Sequence, residues 1–186
     1  MMRRKSSAFK RIIPYWGITM KNLLIIRHAE AGWDDTIDSD RDRLLSEQGE
    51  KDAPFMGRRL HDQGLMPDRI LSSPARRALA TAHAVAGQVG YEASHIDVHG
   101  IMYMQGMPAL MKLVQTLPDT WQRVYLIAHN PDLEWLTGHL TGENFRNMPT
   151  CGIASIEFDL PSWGHIMAGS GKLAFFDHPG RHLSRM

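Results

Sequence analysis

The sequence predicts an α/β fold with a mostly parallel sheet flanked by helices, and two observations carry that prediction. Short apolar runs, "LLII" at Leu23–Ile26 and "VYLIA" at Val124–Ala128, have the length and β-branched content of strands buried on both faces. Between and after them lie longer stretches bounded by helix start and stop signals, so strand and helix alternate along the chain.

The elements follow in order. Asn22–Ile26 reads as a strand, and a polar, Asp-rich loop, "GWDDTIDSDRDRLL", follows it. Ser46 is placed as the N-cap of a helix running to about Gln63, stopped by Gly64 and Pro67. Arg69–Leu71 is a short strand. "SSPARRALATAHAVAGQVG" opens with Ser73 as N-cap and Pro74 at the first helical position, and closes at Gly90. A strand at His95–Val98 and a helix from Pro108 to Leu117 come next. "RVYLIA" is a second buried strand, and Pro131 suits the first turn of a helix over Asp132–Leu140. "IASIEFDL" and "GKLAFFDHP" have strand composition and extend the sheet.

At 186 residues, 43% hydrophobic and 22% charged, the chain suits one domain with a sizeable core. Residues 1–19 hold five basic residues and no acid, leaving 16 basic against 20 acidic residues over 20–186. A net-acidic body argues against a general nucleic-acid binder, whose affinity comes from neutralising phosphates. Residues 1–19 are expected to be a basic, disordered extension, with Met20 an alternative start, and 20–186 a single domain. No run reaches the roughly 18 apolar residues of a membrane span, so no stable membrane association is expected. The single cysteine, Cys151, forbids an intramolecular disulfide, fits a cytoplasmic location and reads as a small buried residue.

Three strand-to-helix junctions share a chemistry. The first strand ends in Arg27-His28, the "VYLIA" strand ends in His129-Asn130, and the "RIL" strand ends in "SSPARRA", which puts Arg77 in the first turn of a helix. In a parallel sheet such strand ends face one cleft. Two arginines and two histidines around a small volume suit a multiply charged anion, and an arginine fork matches phosphoryl oxygens. Helix N-termini behind Ser73 and Asn130 would add N–H donors. Neutral imidazole is a competent nucleophile near pH 7 and can carry a phosphoryl group, with the arginines stabilising the transferred charge. No metal or other cofactor is required for that chemistry.

These blocks resemble the histidine phosphatase (phosphoglycerate mutase-like) superfamily. "RHAEA" is similar to its Arg-His-Gly-Glu signature, with alanine third. "SSPARRALAT" resembles Ser-Pro-x-x-Arg-Ala-x-x-Thr, and "LIAHNP" resembles the strand with the second histidine. "DRDRLLSEQG" resembles the Asp-x-x-Arg-Pro-Leu-Thr-x-x-Gly block of the SixA-type phosphohistidine phosphatase branch, with Leu44 in place of proline, and the C-terminal strands look like that branch too. The resemblance covers roughly residues 20–180. It implies a three-layer α/β sandwich, with His28 as nucleophile and Arg27, Arg77 and His129 holding the phosphoryl group. Arg43, Asn130 and Ser73 are the expected substrate contacts, and Arg76 is assigned to solvent or the cleft rim.

A carboxylic acid to protonate a leaving alkoxide is missing. Relatives of the acid-phosphatase kind place an aspartate where this chain has Asn130, and mutase relatives place a glutamate where it reads "HGIMYMQGMP". Glu92, Asp97, Glu134, Glu30 and Asp34 have no motif behind them. Phosphohistidine needs no such acid, because its ring leaves as neutral imidazole, whose pKa is near 6.5. The expected activity is therefore removal of phosphate from protein phosphohistidine. The alternatives are a small-molecule phosphomonoesterase and a non-catalytic phosphate or phosphoprotein-binding module. "HIDVH" could set His95, Asp97 and His99 on one side of a strand, but no further metal ligand accompanies them.

Overall fold

The structure, a computed structural model, describes residues 20–33 and 39–182. The N-terminal extension and Asp34 lie outside the described residues. Six strands form one sheet: β1 (Lys21–Arg27), β2 (Arg69–Ser72), β3 (Asp97–Val98), β4 (Arg123–Ala128), β5 (Ile153–Phe158) and β6 (Lys172–Asp177). Their order is β3-β2-β4-β1-β5-β6. The pairs β3-β2, β2-β4 and β4-β1 are parallel, while β5 and β6 run antiparallel to their neighbours. The helices are α1 (Glu47–Asp62), α2 (Arg76–Val89), α3 (Met107–Gln115) and α4 (Asp132–Thr141).

Alternation along β1 explains the two flanking layers. Leu23 and Ile25 point to one face, where they pack with Leu110 and Val114 of α3, Leu133 and Leu136 of α4, and Trp163. Leu24 and Ile26 point to the other face, against Ala53, Met56 and Leu60 of α1 and Ala82 and Val85 of α2. A strand covered on both sides has no solvent face, so its sequence reads as an unbroken apolar run rather than an alternating one. Each of these four β1 side chains is fully buried, stabilising the fold by roughly 1.5–3 kcal/mol apiece. Cys151 is buried in the second cluster, as its isolation in the sequence suggested.

Some element boundaries differ from the sequence reading. Helix α1 has the expected cap, Ser46 Oγ accepting from Gly49 N at 3.1 Å. Helix α2, however, begins at Arg76 rather than at Pro74. Ser73 is not its capping residue: the Ser73 N–H continues the ladder to Ile127 O of β4 at 3.0 Å, and its hydroxyl accepts from His129 Nε2 at 2.8 Å. The chain then stays extended through Ala75 (φ −64°, ψ 134°), the residue that caps α2. Strand β3 is only two residues long, because Ala93–His95 forms a 3₁₀ turn. His95 and His99 are thus not paired on one strand face, and Asp97 lies 3.5 Å from Arg69 Nε. Helix α3 starts at Met107, behind Gly106 at φ 81°, and stops two residues short of Leu117. No helix among the described residues is long and apolar enough to cross a membrane.

Candidate active site

The C-terminal ends of β2, β4 and β1 are neighbours in the sheet, so the residues just beyond them converge. His28 N bonds Ala128 O at 3.1 Å, and Arg27 N bonds Gly152 O at 3.0 Å. These two bonds pin the junction after β1 between β4 and β5. The His28 and His129 rings face each other with centroids 5.0 Å apart. Arg77 reaches over from the first turn of α2, with Nε donating to His28 Nε2 at 3.2 Å and Nη2 3.3 Å from His129 Nδ1. Thr81 holds that turn in place: its hydroxyl donates to Arg77 O at 2.7 Å and accepts from Ala29 N at 3.0 Å. A single side chain therefore joins the helix carrying Arg77 to the loop carrying His28.

Hydrogen-bond partners assign both imidazole tautomers. His28 Nδ1 lies 2.7 Å from Ala29 O. A carbonyl only accepts, so Nδ1 carries the proton and Nε2 presents its lone pair to the cleft. An arginine only donates, so His129 Nδ1 accepts from Arg77, and Nε2–H donates to Ser73 Oγ at 2.8 Å. Burial keeps both rings neutral. It pushes the His28 pKa down to about 4, assisted by the nearby Arg77 and Arg27 charges and opposed by the bond to Ala29 O. His129 falls to about 3, chiefly by burial, with His28 and Arg77 adding to the effect.

The remaining expected residues are placed as follows. Arg27 donates from Nη1 to Met148 O at 2.8 Å, and its buried Nε has no partner among the described residues. Burial lowers the Arg27 pKa, and the Glu134 charge opposes that shift. Asn130 Nδ2 bonds Glu134 Oε1 at 2.6 Å and Met148 O at 3.1 Å. Glu134 lies on α4, as expected, but it also accepts from Met148 N at 2.9 Å. It thereby ties the end of β4 to the segment before β5. Arg43 turns toward its own loop: Nε donates to Gly32 O at 3.1 Å, Nη2 to Ala31 O at 2.8 Å, and the guanidinium stacks 4.3 Å from the Trp33 ring centre. Its remaining nitrogen, Nη1, bonds Asp40 Oδ1 at 3.2 Å. Arg76 is exposed and Arg77 buried, the orientation assigned from the sequence.

Two residues at the site had been given no role. Asp40, on a 3₁₀ turn over Asp40–Asp42, accepts at Oδ2 from Arg77 Nη2 at 2.8 Å and from Tyr103 Oη at 3.1 Å. Its backbone carbonyl accepts from Arg77 Nη1 as well. Burial works to raise the Asp40 pKa, but the hydrogen bonds from Arg77, Arg43 and Tyr103 prevail and hold it below the usual carboxylate value. Tyr103 also sets its ring edge-on to His129, with centroids 5.5 Å apart. Asp40 opens the Asp-x-x-Arg block, which was the one available signal for it. Nothing in the sequence marked Tyr103.

Comparison with known proteins agrees with this geometry. Residues 23–98 match the family model of the histidine phosphatase superfamily (branch 1). An uncharacterized chloroplastic protein of Arabidopsis thaliana is 31% identical over 160 residues, covering 81% of this chain and 72% of that protein. The mitochondrial serine/threonine-protein phosphatase Pgam5 of Drosophila willistoni is 33% identical over 76 residues, 41% of this chain, which spans only 25% of the relative's length. Among solved structures, the protein histidine phosphatase SixA complexed with tungstate superposes with a TM-score of 0.76 at 25% identity, covering 86% of this chain and 98% of that one. A SixA-named structure from Agrobacterium tumefaciens gives 0.73 at 27% identity, covering 86% and 99%. The chain belongs to the histidine phosphatase superfamily, in its SixA-type branch.

Proposed function

We propose that residues 20–186 form a phosphatase domain that works through a covalent phosphoryl group on His28 Nε2, with protein phosphohistidine as its substrate. The observation that carries this reading is the state of His28. Its ring is neutral, its Nδ1 proton is committed to Ala29 O, and its Nε2 lone pair lies beside Arg77 and His129. In the first step Nε2 attacks phosphorus while the bond to the substrate nitrogen breaks. The bonding pair returns to that nitrogen, and a ring already protonated on its other nitrogen leaves as neutral imidazole. His28 Nδ1–H, bonded to Ala29 O, stabilises the positive phosphoimidazole ring that results. Water then attacks phosphorus, the P–N pair returns to Nε2, and both water protons stay with the departing dihydrogen phosphate. Arg27 and Arg77 stabilise the charge on the transferring oxygens, and His129 and Ser73 line the pocket. Tungstate in the similar SixA structure is a tetrahedral oxyanion, which supports reading the cradle as a phosphoryl site.

The choice of substrate rests on the carboxylates. Asp40 is held ionised by its donors, and Glu134 is bonded to Asn130 and Met148 N, so neither is placed to hand a proton to an alkoxide. The local similarity to Pgam5, a serine/threonine-protein phosphatase, supports a second reading in which alkyl phosphate esters are cleaved. The two readings separate in an assay of phosphate release in EDTA, comparing a phosphohistidine protein, p-nitrophenyl phosphate and a phosphoserine peptide. Release from phosphohistidine at least about a hundredfold faster than from phosphoserine, abolished in His28→Ala, is the expected result. Comparable turnover of phosphoserine would favour the second reading. Phosphate binding without release from any substrate would favour a binding module.

A further inference from the structure

We infer that Asp40 is an anion built into the chain that occupies the phosphoryl site and must yield it to substrate. The inference rests on the reading of the cradle as a phosphoryl site. Two donors from distant parts of the sequence and one from its own turn converge on this one carboxylate: Arg77 Nη2 at 2.8 Å, Tyr103 Oη at 3.1 Å and Arg43 Nη1 at 3.2 Å. Arg77 Nη1 completes the set by donating to the Asp40 carbonyl. The outer fork of Arg77, which a phosphoryl group would take with two parallel bonds, is therefore already used. Its remaining bonds go inward, from Nε to His28 and from Nη2 to His129.

Two anions cannot share this fork without strong repulsion, so an arriving phosphoryl group replaces the carboxylate. The way out is short. The Asp40 side chain is 40% exposed whereas that of Arg77 is 6% exposed, so rotation of the carboxylate toward solvent frees Arg77 Nη2 for a phosphoryl oxygen while Nη1 stays on the Asp40 carbonyl. Its turn is secured independently, by Ser39 Oγ donating to Asp42 Oδ2 at 2.6 Å and by Arg43 bonding the carbonyls of Ala31 and Gly32. Displaced, Asp40 stays tethered at the mouth of the cleft. After hydrolysis its return competes with phosphate for Arg77 and drives product out. The device lowers affinity for free phosphate and selects substrates that bring binding energy beyond the phosphoryl group itself, as a protein surface does.

The test is titration calorimetry of inorganic phosphate into wild type, Asp40→Ala, Asp40→Asn and Arg77→Ala, with steady-state turnover alongside. The inference predicts that both Asp40 variants bind phosphate at least about tenfold more tightly than wild type. It also predicts a lower KM and stronger product inhibition by phosphate. If Asp40 instead serves to orient Arg77, both variants will bind phosphate equally or more weakly while Arg77→Ala loses it, and the inference falls with the phosphoryl-site reading intact. If Arg77→Ala binds phosphate as wild type does, the phosphoryl-site reading fails, and this inference fails with it.

Discussion

At the scale of single residues, Arg77 is the hub of the candidate site, because one guanidinium touches His28, His129 and Asp40. A lysine has no planar fork and cannot make these bonds together. Arg77→Lys is therefore expected to lower kcat/KM by about a hundredfold or more, the usual cost of losing a charge-stabilising donor. A variant within a few-fold of wild type would contradict this. His28 makes a separate prediction, read by following its ring C–H signals by NMR as pH is lowered. The midpoint is expected near 4 rather than 6.5, because burial and two arginines oppose the protonated form. A midpoint near 6.5 would mean that the ring is neither buried nor flanked by cations as described. The histidines and arginines were legible in the sequence because each stands at the end of a recognisable strand or at the start of a helix. Asp40 and Tyr103 were not. Their contacts join positions 37 and 63 apart, and no local periodicity encodes a pairing across such a distance.

At the scale of elements, α1 seats closely against the loop after β1, at Glu30, two residues beyond His28. A Cβ at Gly49 would lie 2.1 Å from the Glu30 carbonyl oxygen, which is backbone and cannot swing aside. The Ser46 cap reinforces this seating, because Ser46 N bonds Glu30 O at 2.9 Å and Ser46 Oγ accepts from Gly49 N. Gly49→Ala is expected to cost about 2 kcal/mol or more in urea unfolding, since the helix must retreat from the loop. It should also reduce turnover, because Glu30 is two residues from His28. Wild-type stability in this variant would show that the helix is free to shift. The same element was readable from sequence because Ser46 at its start and Gly64 and Pro67 beyond its end agreed. The start of α2 was misjudged for a physical reason. Ser-Pro satisfies the local preference for a helix start, but Ser73 still belongs to the ladder with β4, its hydroxyl accepts from His129, and the chain stays extended to Ala75.

At the scale of the whole molecule, two buried neutral histidines just beyond the C-terminal ends of β1 and β4 make stability depend on pH. Their folded pKa values, about 4 and about 3, lie below the unfolded value near 6.5. The unfolded chain thus takes up protons that the fold refuses, and stability present above pH 6.5 is lost as the pH falls toward 4. Each histidine contributes a slope of up to about 1.4 kcal/mol per pH unit in that window. Between pH 6.5 and 5, urea unfolding should show His28→Gln losing less stability than wild type, and equal losses would contradict the burial argument. The layered architecture was foreseeable because strands covered on both faces read as unbroken apolar runs, whereas the two-residue β3 was too short to leave such a signal. The central claim is that these layers deliver a nucleophilic nitrogen, His28 Nε2, to a phosphoryl site. It is tested most directly by rapid acid-free quenching of the enzyme with ³²P-labelled phosphohistidine protein, followed by peptide mapping. The account predicts an acid-labile, base-stable label on His28 that is absent from His28→Ala. Turnover with no labelled enzyme, or a label retained on another residue in His28→Ala, would contradict it.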